Sequence, residues 1–289
     1  MSRRTKLILG VLLAVPLLGL AAIFVILPQI DLASRVAARG TAALGSSLTI
    51  DSLRLSPGLR TTVEIRGARL ANIEGGSAPH MATLASATAT LDLLPLLRGQ
   101  VVLREVRAEG FTLLLERDAQ RRRNWRLHGD PAGPSTPFAP EPPDRSGLPV
   151  LLDIRLARSE IVFRTSSGTP LRSEITSATI AAPAADQPLR LRVAGAYNAV
   201  PVTLEGTLGT PAQLRDGRTP FPMALVAIAP ETNLAFDGTS TDPLNVDRME
   251  GRLNLVAGSP GAVLTMVGAG PGPAFPVRLA GAFRREGDV

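Results

Sequence analysis

From Leu48 to the C-terminus, apolar side chains recur at every second position in short runs, and that period constrains the fold more than any other feature. Ala85, Ala87, Ala89, Leu91 and Leu93 alternate with Ser86, Thr88, Thr90 and Asp92. Leu152, Ile154 and Leu156 alternate with Asp153 and Arg155, and Leu189, Leu191 and Val193 with Arg190 and Arg192. Successive residues of a strand point to opposite faces, so each run predicts a strand with one apolar and one polar face. Similar runs recur as LTIDSLRL, TVEIRGARL, QVVLREVRA, FTLLLERD, EIVFRT, PMALVAI and GRLNLVA. Breaks between them carry turn formers, as at Ser56-Pro57-Gly58, Glu74-Gly75-Gly76, Arg98-Gly99 and Tyr197-Asn198-Ala199. The expectation is a mainly β chain, almost wholly antiparallel and built of related units: VRLAGAF near the C-terminus is similar to the start of LRLRVAGAYNAVPVTLEGTLG.

Every one-faced strand needs a cover for its apolar side. Past Leu44 no window of about 12 residues has a helical apolar period, and the leucines around Leu93 to Leu97 are cut by Pro95. Helices are therefore excluded as the cover, which leaves a second sheet closing a sandwich or a long curved sheet whose bare apolar face holds an apolar ligand. On general grounds the sandwich is the commoner solution. Aromatic residues make up only 3% of the chain, and its inward candidates are Leu, Val, Ile and Ala, which suit a wall for acyl chains as readily as a packed interior.

A second pattern precedes the β region. Arg3, Arg4 and Lys6 stand before an uncharged run from Leu7 to Leu27. As a helix this run would be roughly 32 Å long, enough to cross a hydrocarbon core of about 30 Å. The basic flank predicts a cytoplasmic tail and an exported remainder. A cleaved signal peptide, cut after small residues such as Gly19 and Ala21, is the competing reading; the run continues through Ile23 to Leu27, past the usual apolar region of a signal, which favours a retained anchor. The expected organisation is a tail and anchor over 1–28, a juxtamembrane helix within 29–46, a first β segment over 47–128, a Pro-rich linker or loop over 129–149 and a second β segment over 150–289. The helix rests on alanine-rich Ile30 to Leu44, weakened by Gly40, and the linker on seven prolines between Gly129 and Pro149.

Composition excludes several classes of function. The chain has no cysteine and only His80 and His128 as imidazoles, so no disulfide framework, thiolate chemistry or metal site is expected. Its net charge of +6 falls to +3 without Arg3, Arg4 and Lys6, and no basic patch is interleaved with stacking side chains, so nucleic acid is not an expected partner. GAGPGPAF, from Gly268 to Phe275, is too rich in proline for a phosphate loop. No nucleophile, metal or nucleotide motif appears, and the expectation is a non-enzyme without catalytic residues or cofactor.

From the basic tail through Trp125 the chain resembles the N-terminal region of the AsmA family, and the similarity continues in LPVLLDIRLARSEIVFRT. Its most specific elements are DLLPLLRGQVVLREVRAEG, from Asp92 to Gly110, and the strand ending in Asn124-Trp125, with Leu94, Leu97, Gly99 and Gly110 as motif positions. The chain departs from the pattern in RRRNW, in place of a glycine-containing turn, and in length, since the last unit opens just before Val289; a fragment, a truncated gene and a short member are all open.

The resemblance implies an inner-membrane protein with a single span, its N-terminus in the cytoplasm and its bulk in the periplasm as an elongated groove of repeated β units. It implies phospholipid acyl chains as ligand and a role in outer-membrane lipid homeostasis, with outer-membrane or periplasmic assembly proteins as further partners. Candidate groove-lining residues are Ala87, Ala89, Leu91, Leu93, Leu113 and Leu115. The rival is a closed β-sandwich acting as a scaffold for outer-membrane protein assembly.

Overall fold

A computed structural model describes residues 31–96, 98–117, 124–125, 145–164, 170–243, 247–266, 272 and 274–286. The predicted anchor, Leu7 to Leu27, therefore lies outside the described residues, as do Leu97, His128 and most of the Pro-rich segment. No helix among the described residues is long and apolar enough to cross a membrane.

Helix α1 spans Leu32–Leu44. Asp31 caps it by accepting from the Ser34 amide at 3.1 Å, and Gly45 closes it in the left-handed conformation at φ 67°. Gly40, which weakened the sequence reading, has a packing reason. A β-carbon there would lie 2.4 Å from Leu48 Cδ2, so the missing side chain lets the helix seat on the first strand.

The rest is one sheet of thirteen strands. Its first meander comprises β1 (Leu48–Ser56), β2 (Arg60–Ala71), β3 (His80–Asp92) and β4 (Val102–Glu116), with the four-residue helix α2 (Leu93–Leu96) between the last two. β5 (Val150–Leu151) and β6 (Asp153–Arg164) then pair with β4 in parallel, Val102 with Val150 and Val106 with Ile154. From β6 the chain meanders again through β7 (Pro170–Ala181), β8 (Leu189–Tyr197), β9 (Val200–Leu208), β10 (Phe221–Ala229), β11 (Thr232–Asp242), β12 (Asp247–Ala257) and β13 (Val277–Arg285). Short helices α3 (Pro211–Arg215) and α4 (Pro260–Met266) interrupt it. The sheet is thus almost wholly antiparallel, as expected, with one parallel junction. The chain leaves β4 at one end of that strand and re-enters beside its other end, which makes the junction parallel while both meanders stay in one sheet.

The rival sandwich is excluded and the open sheet that the resemblance implies is found: twelve strands from β1 to β13 lie in a single open path, with β5 paired to β4 beside it, and the elements that pack together are ladder neighbours or a helix at a strand end. The cause is visible in the turns. Most successive strands pair directly, many through tight links such as Asn198-Ala199, both at positive φ as a two-residue hairpin turn requires, so no strand crosses to a second layer. Past Leu44 the described helices have four, five and seven residues, too short to cover the sheet, as the sequence predicts.

A row of irregularities crosses the first strands. Asp51, Gly67, Ala85, Gly110 and Arg158 stand side by side where the ladders from β1 to β6 are interrupted. Gly67, Gly110 and Arg158 have φ of 61°, 63° and 48°. At this row the inward set changes parity in every strand: Leu48 and Ile50 give way to Leu53 and Leu55, and Ala82 and Leu84 to Ala87, Ala89 and Leu91. A bulge lets a strand bend and still keep its apolar residues on one side.

Candidate functional site

Register assigns the inward residues. Leu53 faces Ile65, Ile65 faces Ala87 and Ala87 faces Ala108; Leu84 faces Phe111, and Leu113 faces Ala82 and runs beside Ile161 of β6. Beyond β6 the same face continues through Ile180, Leu191, Gly206, Leu225, Phe236, Leu253 and Gly281, each the ladder partner of the one before. One apolar surface therefore runs from β1 to β13. Twelve strands in sequence at about 4.8 Å spacing give it a length of roughly 50 Å.

Little of this surface is sealed. Its central residues are half-buried, shielded by neighbours on the same sheet, whereas the fully buried apolar residues gather at the strand ends. At one end Ala182, Leu189 and Phe221 pack with Leu208, Met223 and Leu214 of α3. A capping box closes that helix, the Thr210 hydroxyl accepting from the Gln213 amide at 3.0 Å while the Gln213 side chain accepts from the Thr210 amide at 2.9 Å.

At the other end, next to α1, the plug is Asn124-Trp125. The Trp125 ring lies 5.8 Å from that of Phe163. Fully buried Asn124 bonds both directions of the β4 backbone end, accepting from the Glu116 amide at 2.9 Å and donating to the Leu114 carbonyl at 2.7 Å. It also donates to Asn72 Oδ1 at 2.9 Å, which ties β4 to the β2–β3 turn. Glu116, 2% exposed, accepts from Asn72 Nδ2 at 2.7 Å and from the Ser77 amide at 2.8 Å and hydroxyl at 2.5 Å. Burial pushes its pKa up, but the Ser77 and Asn72 hydrogen bonds and the Arg164 charge outweigh that and hold it below the ordinary carboxylate value.

The opposite face of the sheet is polar and cross-linked. Asp51 and Arg69 form a bidentate pair at 2.8 and 2.9 Å, Arg155 binds Asp153 at 2.8 Å, and Arg172 binds Glu160. The two faces thus differ sharply over the first strands, whereas in β10 and β12 the opposite face also carries exposed Val226, Ile228 and Val256.

Of the residues expected to line a groove, Ala87, Ala89, Leu91, Leu113 and Leu115 share the apolar face. Leu93 does not continue the strand. β3 ends at Asp92, and Leu93 opens α2, where its amide donates to the Leu59 carbonyl at 3.1 Å. Ala85 occupies the bulge row, and Leu84 takes the inward place that strict alternation gives it. Among motif positions, Gly99 at φ 74° follows α2, Gly110 forms the bulge opposite Ala85, and Leu94 is 64% exposed. Sequence reading passed over Phe111, Phe163, Phe236 and Phe283, the bulky members of the apolar face. Phe236 and Phe283 meet edge to face at 5.8 Å across Gly251.

Over 124 residues the chain is 29% identical to the AsmA family protein YhjG of Escherichia coli K12, a match covering 41% of this chain and 18% of that relative. The chain thus corresponds to less than a fifth of that relative's length. No solved structure matches it. The model of the AsmA family matches residues 1–164, more than half of the chain and all of the first meander, and the chain belongs to that family.

Proposed function

We propose that the protein is a membrane-anchored, periplasmic lipid-binding protein whose apolar sheet face carries phospholipid acyl chains in support of outer-membrane lipid homeostasis. The observation that carries this reading is the apolar face itself, roughly 50 Å long by strand count and covered by neither a second sheet nor a long helix among the described residues. A face of that size left to water would be a severe aggregation hazard. An acyl chain removes it, each covered methylene contributing about 0.8 kcal/mol and eight of them roughly 6 kcal/mol before ordering costs. Family membership supports the same direction, and the predicted span Leu7 to Leu27 supports the inner membrane as location. No bond-making step is proposed; the chemistry is partition. The scaffold alternative requires a filled core, and the half-buried centre of the sheet counts against it.

Mass spectrometry of the purified protein tests the proposal. Phospholipid is expected in the wild type, and Leu91→Asp with Leu113→Asp should remove it while leaving the far-ultraviolet circular dichroism of the sheet. Wild-type protein without lipid, or a variant with unchanged lipid, would refute it.

A further inference from the structure

The two most exposed large apolar side chains among the described residues are Leu59, at 75%, and Leu94, at 64%. They are neighbours. Leu59 ends the β1–β2 turn, and its carbonyl accepts from Leu93 at the start of α2. Leu96, 38% exposed, and Val101, 39% exposed, belong to the same β3–β4 connection. These aliphatic groups form the tips of the sheet at the end of β1–β4 away from α1, and no described segment folds over them.

The exposed charges of these turns are basic, and the carboxylate beside them is buried. Asp92, the carboxylate at this end of β3, is buried and held by Arg104 at 2.5 Å and by Arg60 at 3.9 Å. Arg60 and Arg98 stand exposed in the same turns. Exposed aliphatic tips flanked by arginine fit a bilayer interface, where the chains are aliphatic and the headgroups anionic. The chain's own membrane is within reach. Only four residues separate Leu27 from α1, and α1 is about 20 Å long.

We infer that the turn tips carrying Leu59, Leu94, Leu96 and Val101 dock into the surface of the bilayer in which the chain is anchored, with Arg60 and Arg98 on anionic headgroups. This rests on the reading of Leu7 to Leu27 as an anchor. At this rim the apolar face begins with Leu55, Leu91 and Leu103, so docking opens the groove directly onto lipid.

The absence of cysteine makes the test clean. Leu59→Cys, Leu94→Cys and, as a control on the polar face of β9, Glu205→Cys are each labelled with a polarity-sensitive fluorophore in the full chain. The proteins are reconstituted into vesicles of phosphatidylethanolamine and phosphatidylglycerol containing nitroxide-labelled lipid. Labels at 59 and 94 should shift to the blue and be quenched by the nitroxide, the label at 205 should do neither, and quenching should weaken when phosphatidylcholine replaces the anionic lipid. A water-exposed, unquenched label at 94 overturns the inference, and so does a blue-shifted label that the nitroxide fails to quench, which signifies a protein contact. Lipid co-purification is measured on the same labelled proteins before reconstitution: co-purified lipid with position 94 unquenched in vesicles leaves the groove standing and removes the docking rim, and quenching of a protein that co-purified no lipid does the reverse.

Discussion

Gly110 and Ala85 stand opposite each other across the β3–β4 ladder so closely that a β-carbon on Gly110 would lie 2.8 Å from that of Ala85. Gly110 also sits at φ 63°, in the left-handed region. Two separate penalties therefore meet in Gly110→Ala, one of about 1–2 kcal/mol for the backbone and one for the methyl contact. Adding Ala85→Gly removes the contact and leaves the backbone term. Denaturant unfolding of the single and double variants should show a destabilisation that the second substitution only partly reverses; a double variant as stable as wild type would mean that conformation at 110 is unimportant.

The buried carboxylate of Glu116 gives the fold an acid limb. Its pKa is lower in the folded chain than in the unfolded one, so it contributes stability that is complete above the ordinary carboxylate range and is lost as pH falls through the folded value. Glu116→Gln removes the titration and leaves one of the two Ser77 donors poorly matched, at a cost of about 1–3 kcal/mol near neutral pH. Melting temperature followed from neutral pH into the acid should fall for the wild type and converge on that of the variant. Parallel curves would show that another group carries the acid response.

At the β8–β9 hairpin, Asn198 and Ala199 both take positive φ, 48° and 64°. Asparagine tolerates this region and its Oδ1 also accepts from the Arg172 amide at 2.8 Å, whereas alanine is strained there. Ala199→Gly should stabilise the chain by roughly 0.5 kcal/mol, the relief of strain exceeding the added flexibility of the unfolded state. Thermal unfolding checks the sign, and a lower midpoint would contradict the argument.

How much of this was legible in the sequence follows from what alternation encodes. Period two locates strands and faces, and it found most of the strands, while turn formers marked Tyr197-Asn198-Ala199 and a helical period the helix before Leu48. It does not announce its own interruptions. In β3 strict alternation puts Ala85 inward and carries the strand to Leu93, because alanine fits either face and Leu93 continues the spacing. A signal was available: LTIDSLRL holds Leu48 and Ile50, then Leu53 and Leu55, and this slip of one residue recurs strand after strand at the height of Gly67 and Gly110. Alternation alone did not choose between sandwich and open face, since each strand carries the same pattern in both; the resemblance of the stretch through Trp125 to the AsmA family did. Direct pairing of successive strands decides it, and that depends on backbone geometry that alternation does not report.

The small residues of the apolar face supply the last prediction. Ala87 faces Ala108, and Ala89 stands two residues along the strand from it, so the face is shallow in side chain where β3 and β4 meet and has room there. Ala87→Phe puts a ring into that space while leaving the ladder hydrogen bonds and the polar face as they are. If acyl chains lie across this point, the variant should fold with a stability within about 1–2 kcal/mol of wild type, since the added ring meets no packed layer opposite. It should also retain clearly less phospholipid, read by mass spectrometry of the purified protein. A conservative Ala87→Ser, which adds no bulk, should retain it. Equal lipid in all three would place the bound chains elsewhere on the sheet, whereas loss in Ala87→Phe together with a collapse of stability would reveal a covering layer over β3 and β4.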